Sequence, residues 1–128
     1  VKVFRGEGPD DKAHGAGEHG LFYTKTREVA DTHAAHRKGG KVHAAKLNAW
    51  GFPTWDLKGD APTKDTLAER VAHAKKRGAA GIRLKNVGDI ATRDGKQVHH
   101  DDEQFLVFDT ARLKRDDAPR KRSGYNLL

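Results

Sequence analysis

The chain contains no cysteine and no methionine. Without cysteine there is no disulfide framework and no thiolate metal site, and any compartment is permitted. With methionine missing and valine at residue 1, the expectation is a fragment, or a domain cut from a longer polypeptide. Long apolar runs are absent as well. A helix needs roughly 20 apolar residues to cross a bilayer, and no stretch comes near that, so no membrane association is expected. No secretory signal is visible. Only 35% of the 128 residues are hydrophobic while 34% are charged, so the core must be thin and the surface heavily solvated. The length supports a single domain.

Positive charge is what the chain has in excess. Its 25 Lys and Arg against 18 Asp and Glu give a formal net charge of +7, with an isoelectric point near 9.8. This balance points to an anionic partner: nucleic acid, a phosphate-bearing cofactor or an acidic protein. The charge is uneven. "RLKRDDAPRKRSG", residues 112–124, is a basic run broken by Asp116, Asp117 and Pro119. A solvated basic tail over 115–128, after a domain spanning 1–114, is its simplest reading, because no aromatics are interleaved to stack on bases. Fourteen glycines imply many turns and close backbone approaches.

Patterning gives an alternating chain. "VKVFR" (1–5) has strand character, with Val1, Val3 and Arg5 on one face. Residues 6–20 read as a loop by composition, and "LFYT" (21–24) as a short strand. A helix follows, with Thr26 as N-cap, Glu28 in the first turn, Arg37 and Lys38 in the last, and Gly39 and Gly40 as the stop. "KVHAAKL" (41–47) is another strand. Residues 48–62 read as a loop whose Trp50, Phe52 and Trp55 cover the core. A second helix over 65–77 carries the apolar stripe Leu67, Val71 and Ala74 and ends at Gly78. "GIRL" (81–84) and "QFLVFD" (104–109) complete the strands, the latter buried on both faces. The predicted class is α+β, with helices against a split, mostly antiparallel sheet.

Three separated pieces carry chemistry: "FRGEG", "GLFYT…EVADTHA" and "DDEQFLVFD". An arginine at a strand end followed by Gly-x-Gly can meet a phosphate or ribose with little steric obstruction. The group Asp101, Asp102 and Glu103, with His99 and His100 beside it, reads by default as a solvated turn. Its spacing is too compressed to converge on a metal ion.

Together these pieces resemble the ADP-ribosyltransferase fold, and within it the branch closer to poly(ADP-ribose) polymerases and to the transferase domains of phage and mobile-element polyvalent proteins. The likeness runs from Val3 to about Lys114. It rests on Arg5-Gly6 ending a first strand, on Gly20, Leu21, Phe22, Tyr23 and Thr24 as a second, on Ala30 and His33 three apart on the next helix, on "GIRLKNVGD" (81–89), and on the late strand "QFLVFD". The resemblance implies a split sheet binding NAD between its halves. Phe22 and His33 would clamp the nicotinamide ring, each face gaining about 0.5–1.5 kcal/mol beyond burial. Ala30 would leave room for the carboxamide, the Gly6 backbone would bond it, and Arg5 would reach the ribose or pyrophosphate. Tyr23 and Thr24 belong to the same cofactor-binding set.

The implied reaction cleaves the bond between nicotinamide and C1′ of its ribose and passes ADP-ribose to a macromolecular acceptor, protein or nucleic acid, or to water. The implied setting is a toxin, effector or phage domain, secreted or injected to act in a target-cell cytoplasm, with an immunity or inhibitor protein as a further partner. A carboxylate must answer the positive charge that develops on the sugar. The family's glutamate falls on Gln104, which can hydrogen-bond but supplies no charge. Three readings stand. Gln104 disarms a toxic enzyme; or Glu103 is the working carboxylate, displaced by a bulge; or the domain binds NAD without efficient turnover. Strand alternation sets Glu103 and Gln104 on opposite faces, so the second reading requires a backbone irregularity. Two other classes remain: a non-catalytic basic nucleic-acid-binding module, and a structural domain on a transferase-like fold.

Overall fold

The computed structural model describes residues 1–8 and 19–115. The tail expected over 115–128 lies outside these residues except for Arg115, as does the loop over 9–18. The elements run β1 (Lys2–Glu7), β2 (Leu21–Thr24), α1 (Arg27–Ala35), β3 (Lys41–Leu47), β4 (Thr54–Asp56), α2 (Lys64–Lys76), β5 (Gly81–Arg93), β6 (Lys96–Val107) and β7 (Leu113–Arg115). The strands form one mixed sheet in the order β4-β5-β6-β2-β1-β3-β7. Among the described residues only β4 and β5 run parallel. The class is therefore α+β, with two α-helices among the described residues.

Side-chain alternation sorts the core onto two faces. Val3, Leu21, Tyr23, Ala45, Leu47, Phe105 and Val107 cluster on one face under Phe52 and Leu113. Ile82, Leu84 and Leu106 face the other way and are covered by Val71 and Ala74 of α2. α1 sits on this same second face. A Cβ at Gly6 would lie 2.5 Å from the Ala30 carbonyl oxygen and 2.6 Å from the Ala34 amide nitrogen, so only glycine lets helix and strand approach this closely. The two helices thus share one face of the sheet and leave a gap between them. Beneath that gap β1 and β2 are joined at a single registered pair, Phe4 with Thr24.

Several expectations need correction. α1 ends at Ala35, so Arg37 and Lys38 lie beyond it. Thr26 is the N-cap, but its side chain makes no cap hydrogen bond; its hydroxyl is turned instead toward Asp102, to which it donates at 2.8 Å. α2 begins at Lys64, behind a capping box of Thr63 and Thr66. The segment 48–62 contains β4. Trp50 is 81% exposed and covers nothing, whereas Phe52 and Trp55 do pack. The largest difference is the length of β5 and β6. They form a long hairpin closed by Asp94 and Gly95, both at positive φ, as a two-residue turn between twisted strands requires. The acidic group at 101–103 is consequently strand and not a turn, and Asp102 is buried.

This hairpin carries one irregularity. Leu84 pairs with Gln104 and Val87 with Asp102, so β5 spends one more residue than β6 between these points. Asn86, at φ 54°, occupies the left-handed conformation inside this bulge. One extra residue inverts the facing of everything after it. Val87 and Asp89 therefore join Ile82 and Leu84 on the helix-covered face.

Candidate functional site

The gap between α1 and the approach to α2 is a cleft of about 340 Å³. Its floor is the sheet: Phe4 and Gly6 from β1, Phe22 and Thr24 from β2, and Gln104 from β6. Ala30, His33 and Arg37 wall one side, Ala61 and Pro62 another, and Val87, Gly88 and Asp89 the third. Of the residues singled out from sequence, Gly6, Phe22, Thr24, Ala30, His33 and Gln104 line this one cleft from the helix-covered side; Arg5 and Tyr23 border it as well, but Arg5 alternates onto the Val3 face and the Tyr23 side chain is buried in the cluster there. The six come from three strands and a helix, brought together by strand register and by the Gly6 contact.

Glu103 is not brought there. It alternates onto the opposite face, where its carboxylate accepts from Arg83 Nε and lies 3.6 Å from Lys25 Nζ. Burial raises the Glu103 pKa, but the Arg83 hydrogen bond and the charges of Arg83 and Lys25 outweigh it and hold the carboxyl below its usual range. The bulge that could have turned Glu103 toward the cleft falls on β5 instead.

Arg5 is buried at 6% exposure, within β1 and not at its end. Its Nε donates to Glu7 at 2.8 Å and its Nη1 to the Phe22 carbonyl at 3.0 Å. Glu7 also lies 3.2 Å from His43 and 3.4 Å from Arg115. Arg5 thus bridges the seam between β1 and β2 at the edge of the cleft, so its removal weakens the fold as well as the pocket wall.

Two carboxylates define the electrostatics of the floor, and sequence reading passed over both as site residues. Asp102 has no exposed side-chain surface and accepts from the hydroxyls of Thr24 and Thr26 and from Gln104 Nε2 at 3.0 Å. Those donors offset the cost of burying it. Asp89 is 18% exposed, and its Oδ2 accepts from Gln104 Nε2 and bonds His33 Nε2 at 3.2 Å. Its Oδ1 accepts the Ile90 amide at 2.8 Å. Burial raises the Asp89 pKa, yet the His33, Ile90 and Gln104 hydrogen bonds together outweigh it and leave the carboxyl below its usual range. The Asp89 hydrogen bond raises the His33 pKa against the opposing effect of burial.

Gln104 therefore sits between two carboxylates, with an amide proton for each. This fixes its orientation: the nitrogen must face the aspartates and Oε1 must face elsewhere. No group of three or more His, Cys, Asp or Glu able to hold a metal ion occurs among the described residues. No helix among them is long and apolar enough to cross a membrane. Comparison with protein-family models, with curated proteins and with solved structures finds no match for this chain.

Proposed function

We propose that the chain is an NAD-dependent ADP-ribosyltransferase domain, cleaving the nicotinamide–ribose bond and passing ADP-ribose to a macromolecular acceptor or to water. One observation carries this reading. Six residues singled out in separated segments by the resemblance, Gly6, Phe22, Thr24, Ala30, His33 and Gln104, line a single cleft on one face of the sheet, and the sheet has its thinnest seam beneath it.

The chemistry of the cleft fits a pyridinium nucleotide. Its volume lies at the lower end of the range for small-molecule sites, roughly 300–1,000 Å³, and suits one end of a dinucleotide. Phe22 offers an aromatic face and is only partly buried, packed against the cluster under α2. The nicotinamide ring of NAD is a cation, which aromatic faces and nearby carboxylates both favour. Arg37 at the margin suits the pyrophosphate. Glycosidic cleavage expels a neutral pyridine, so no general acid is required. Gln104 Oε1 is an acceptor for a ribose hydroxyl. The acceptor would belong to an acidic protein or a nucleic acid, in keeping with the net charge of +7. A toxin, effector or phage setting, with a cognate inhibitor protein, belongs to the same reading.

The test is incubation with NAD, for this chain and for Gln104→Glu. The readouts are free nicotinamide and the NAD-dependent change in melting temperature. Nicotinamide released by either protein, with a melting temperature that rises with NAD, supports the reading. Silence in both proteins and no thermal shift removes it. Salt-sensitive binding to nucleic acid together with indifference to NAD would assign the domain instead to the non-catalytic class.

A further inference from the structure

We propose that Asp89, rather than a residue at 103 or 104, is the carboxylate that faces the positive charge developing on the ribose, with Gln104 as its positioning partner. The proposal rests on the NAD-cleaving reading above and names the group that performs its central step.

Three carboxylates stand near the cleft floor, and geometry separates them. Glu103 is on the wrong face and engaged with Arg83. Asp102 is on the right face, but its side chain has no exposed surface, it does not line the cleft, and three donors occupy it. Asp89 lines the cleft, keeps 18% of its side chain exposed, and accepts three hydrogen bonds. A carboxylate has about four acceptor positions, so one remains for substrate. The β5 bulge is what delivers Asp89 here. Without the extra residue, simple alternation would set Asp89 on the Glu103 face.

The missing charge at 104 then has a physical account. Gln104 donates one proton to each aspartate, fixes the Asp89 carboxylate at the floor, and turns Oε1 away from both. A glutamate there would meet two like charges. His33 holds Asp89 from the α1 side at 3.2 Å. In the reaction, the C1′–N bond breaks with its electron pair passing to the nicotinamide nitrogen, which cancels the pyridinium charge. The oxygen of water or of an acceptor hydroxyl bonds to C1′, and its proton is released to solvent. No oxidant or reductant is involved. Asp89 stays ionised throughout and acts electrostatically.

The experiment compares nicotinamide release and NAD-dependent thermal shift for the parent, Asp89→Asn, Asp89→Ser and Glu103→Gln. The expected result is a loss of at least 100-fold in kcat for Asp89→Asn and Asp89→Ser, with the NAD concentration for half-maximal thermal shift changed less than about threefold. Should one neutral variant fail to melt cooperatively, the other carries the measurement. A kcat within threefold of the parent in either folded variant overturns the proposal. So does a loss confined to Glu103→Gln. A parent that shows the thermal shift but releases no nicotinamide overturns the role of Asp89 and leaves the NAD cleft standing. A parent with neither response overturns both.

Discussion

Gln104 is the residue on which the character of the cleft turns. Its amide bridges Asp89 and Asp102, a task that requires two donor protons and no charge. Gln104→Glu exchanges those donors for a third carboxylate. Mutual repulsion then raises the pKa of the new carboxyl above its unfolded value of about 4.3. A carboxyl whose folded pKa is raised imposes no penalty below the unfolded value. The penalty grows as pH rises through the folded pKa and is complete above it. The variant is therefore expected to lose about 1–3 kcal/mol at neutral pH and markedly less near pH 4, where the protonated carboxyl restores one of the two donors, as read by urea unfolding at both. Equal stability of the two proteins at neutral pH would show that the amide bridge carries no energy.

His33 titrates in the opposite sense. Its pKa is raised by the Asp89 hydrogen bond, so its contribution is fully present below the unfolded pKa, about 6.5, and disappears as pH rises through the folded value. The depressed pKa of Asp89 keeps the partner charged on the acid side until pH falls to that lower value. Half of the His33 side chain is exposed, so screening limits the pair to under about 1 kcal/mol. The stability difference between the parent and His33→Ala is expected to shrink between about pH 6 and about pH 9. A difference that stays constant over that range assigns His33 to packing alone.

Among the secondary-structure elements, the legible ones carried a complete local signal. α2 has its stripe of Leu67, Val71 and Ala74 and its terminal Gly78 at φ 77°, and β3 has the bounds its residues imply. The β5–β6 hairpin also has a signal, the Asp94-Gly95 pair, but the charged residues around it hide the alternation that would extend both strands. β4 has almost none, since three residues pair through a crossover that only the assembled sheet supplies. The site divides the same way. Gly6, Phe22 and Thr24 converge through register, which alternation anticipates, whereas Arg5 alternates onto the Val3 face and reaches the cleft margin only across the β1–β2 seam. Asp89 arrives through one extra residue at Asn86, and no local pattern announces a bulge that depends on the partner strand. Gly6 marks where element packing and site meet. Gly6→Ala drives a methyl into backbone atoms of α1 at 2.5 and 2.6 Å, which a flexible side chain cannot relieve. The helix must shift off the sheet, at a cost of about 1–3 kcal/mol in unfolding free energy, and the cleft wall carrying His33 moves with it. A variant as stable as the parent would show that α1 sits less tightly on β1.

The whole molecule sets two fields against each other. The net charge is +7, yet Asp89 lines the cleft and Asp102 is buried beneath its floor. Long-range attraction follows the net field, whereas selection inside the cleft follows the local one. A pyridinium dinucleotide satisfies both, since its pyrophosphate can stay near Arg37 at the rim while its cationic ring enters. A polyanion satisfies only the outer field, and its binding must release counterions. The two ligand classes are therefore expected to differ in salt dependence. Affinity for a labelled single-stranded oligonucleotide should fall at least tenfold between about 50 and about 200 mM salt, while the dissociation constant for NAD changes less than about threefold. Fluorescence anisotropy and calorimetry on the same preparation read the two slopes. An oligonucleotide slope as shallow as that for NAD would mean that few cations meet phosphates at once. The excess positive charge would then serve solvation, and the acceptor would be sought among molecules without a phosphate backbone.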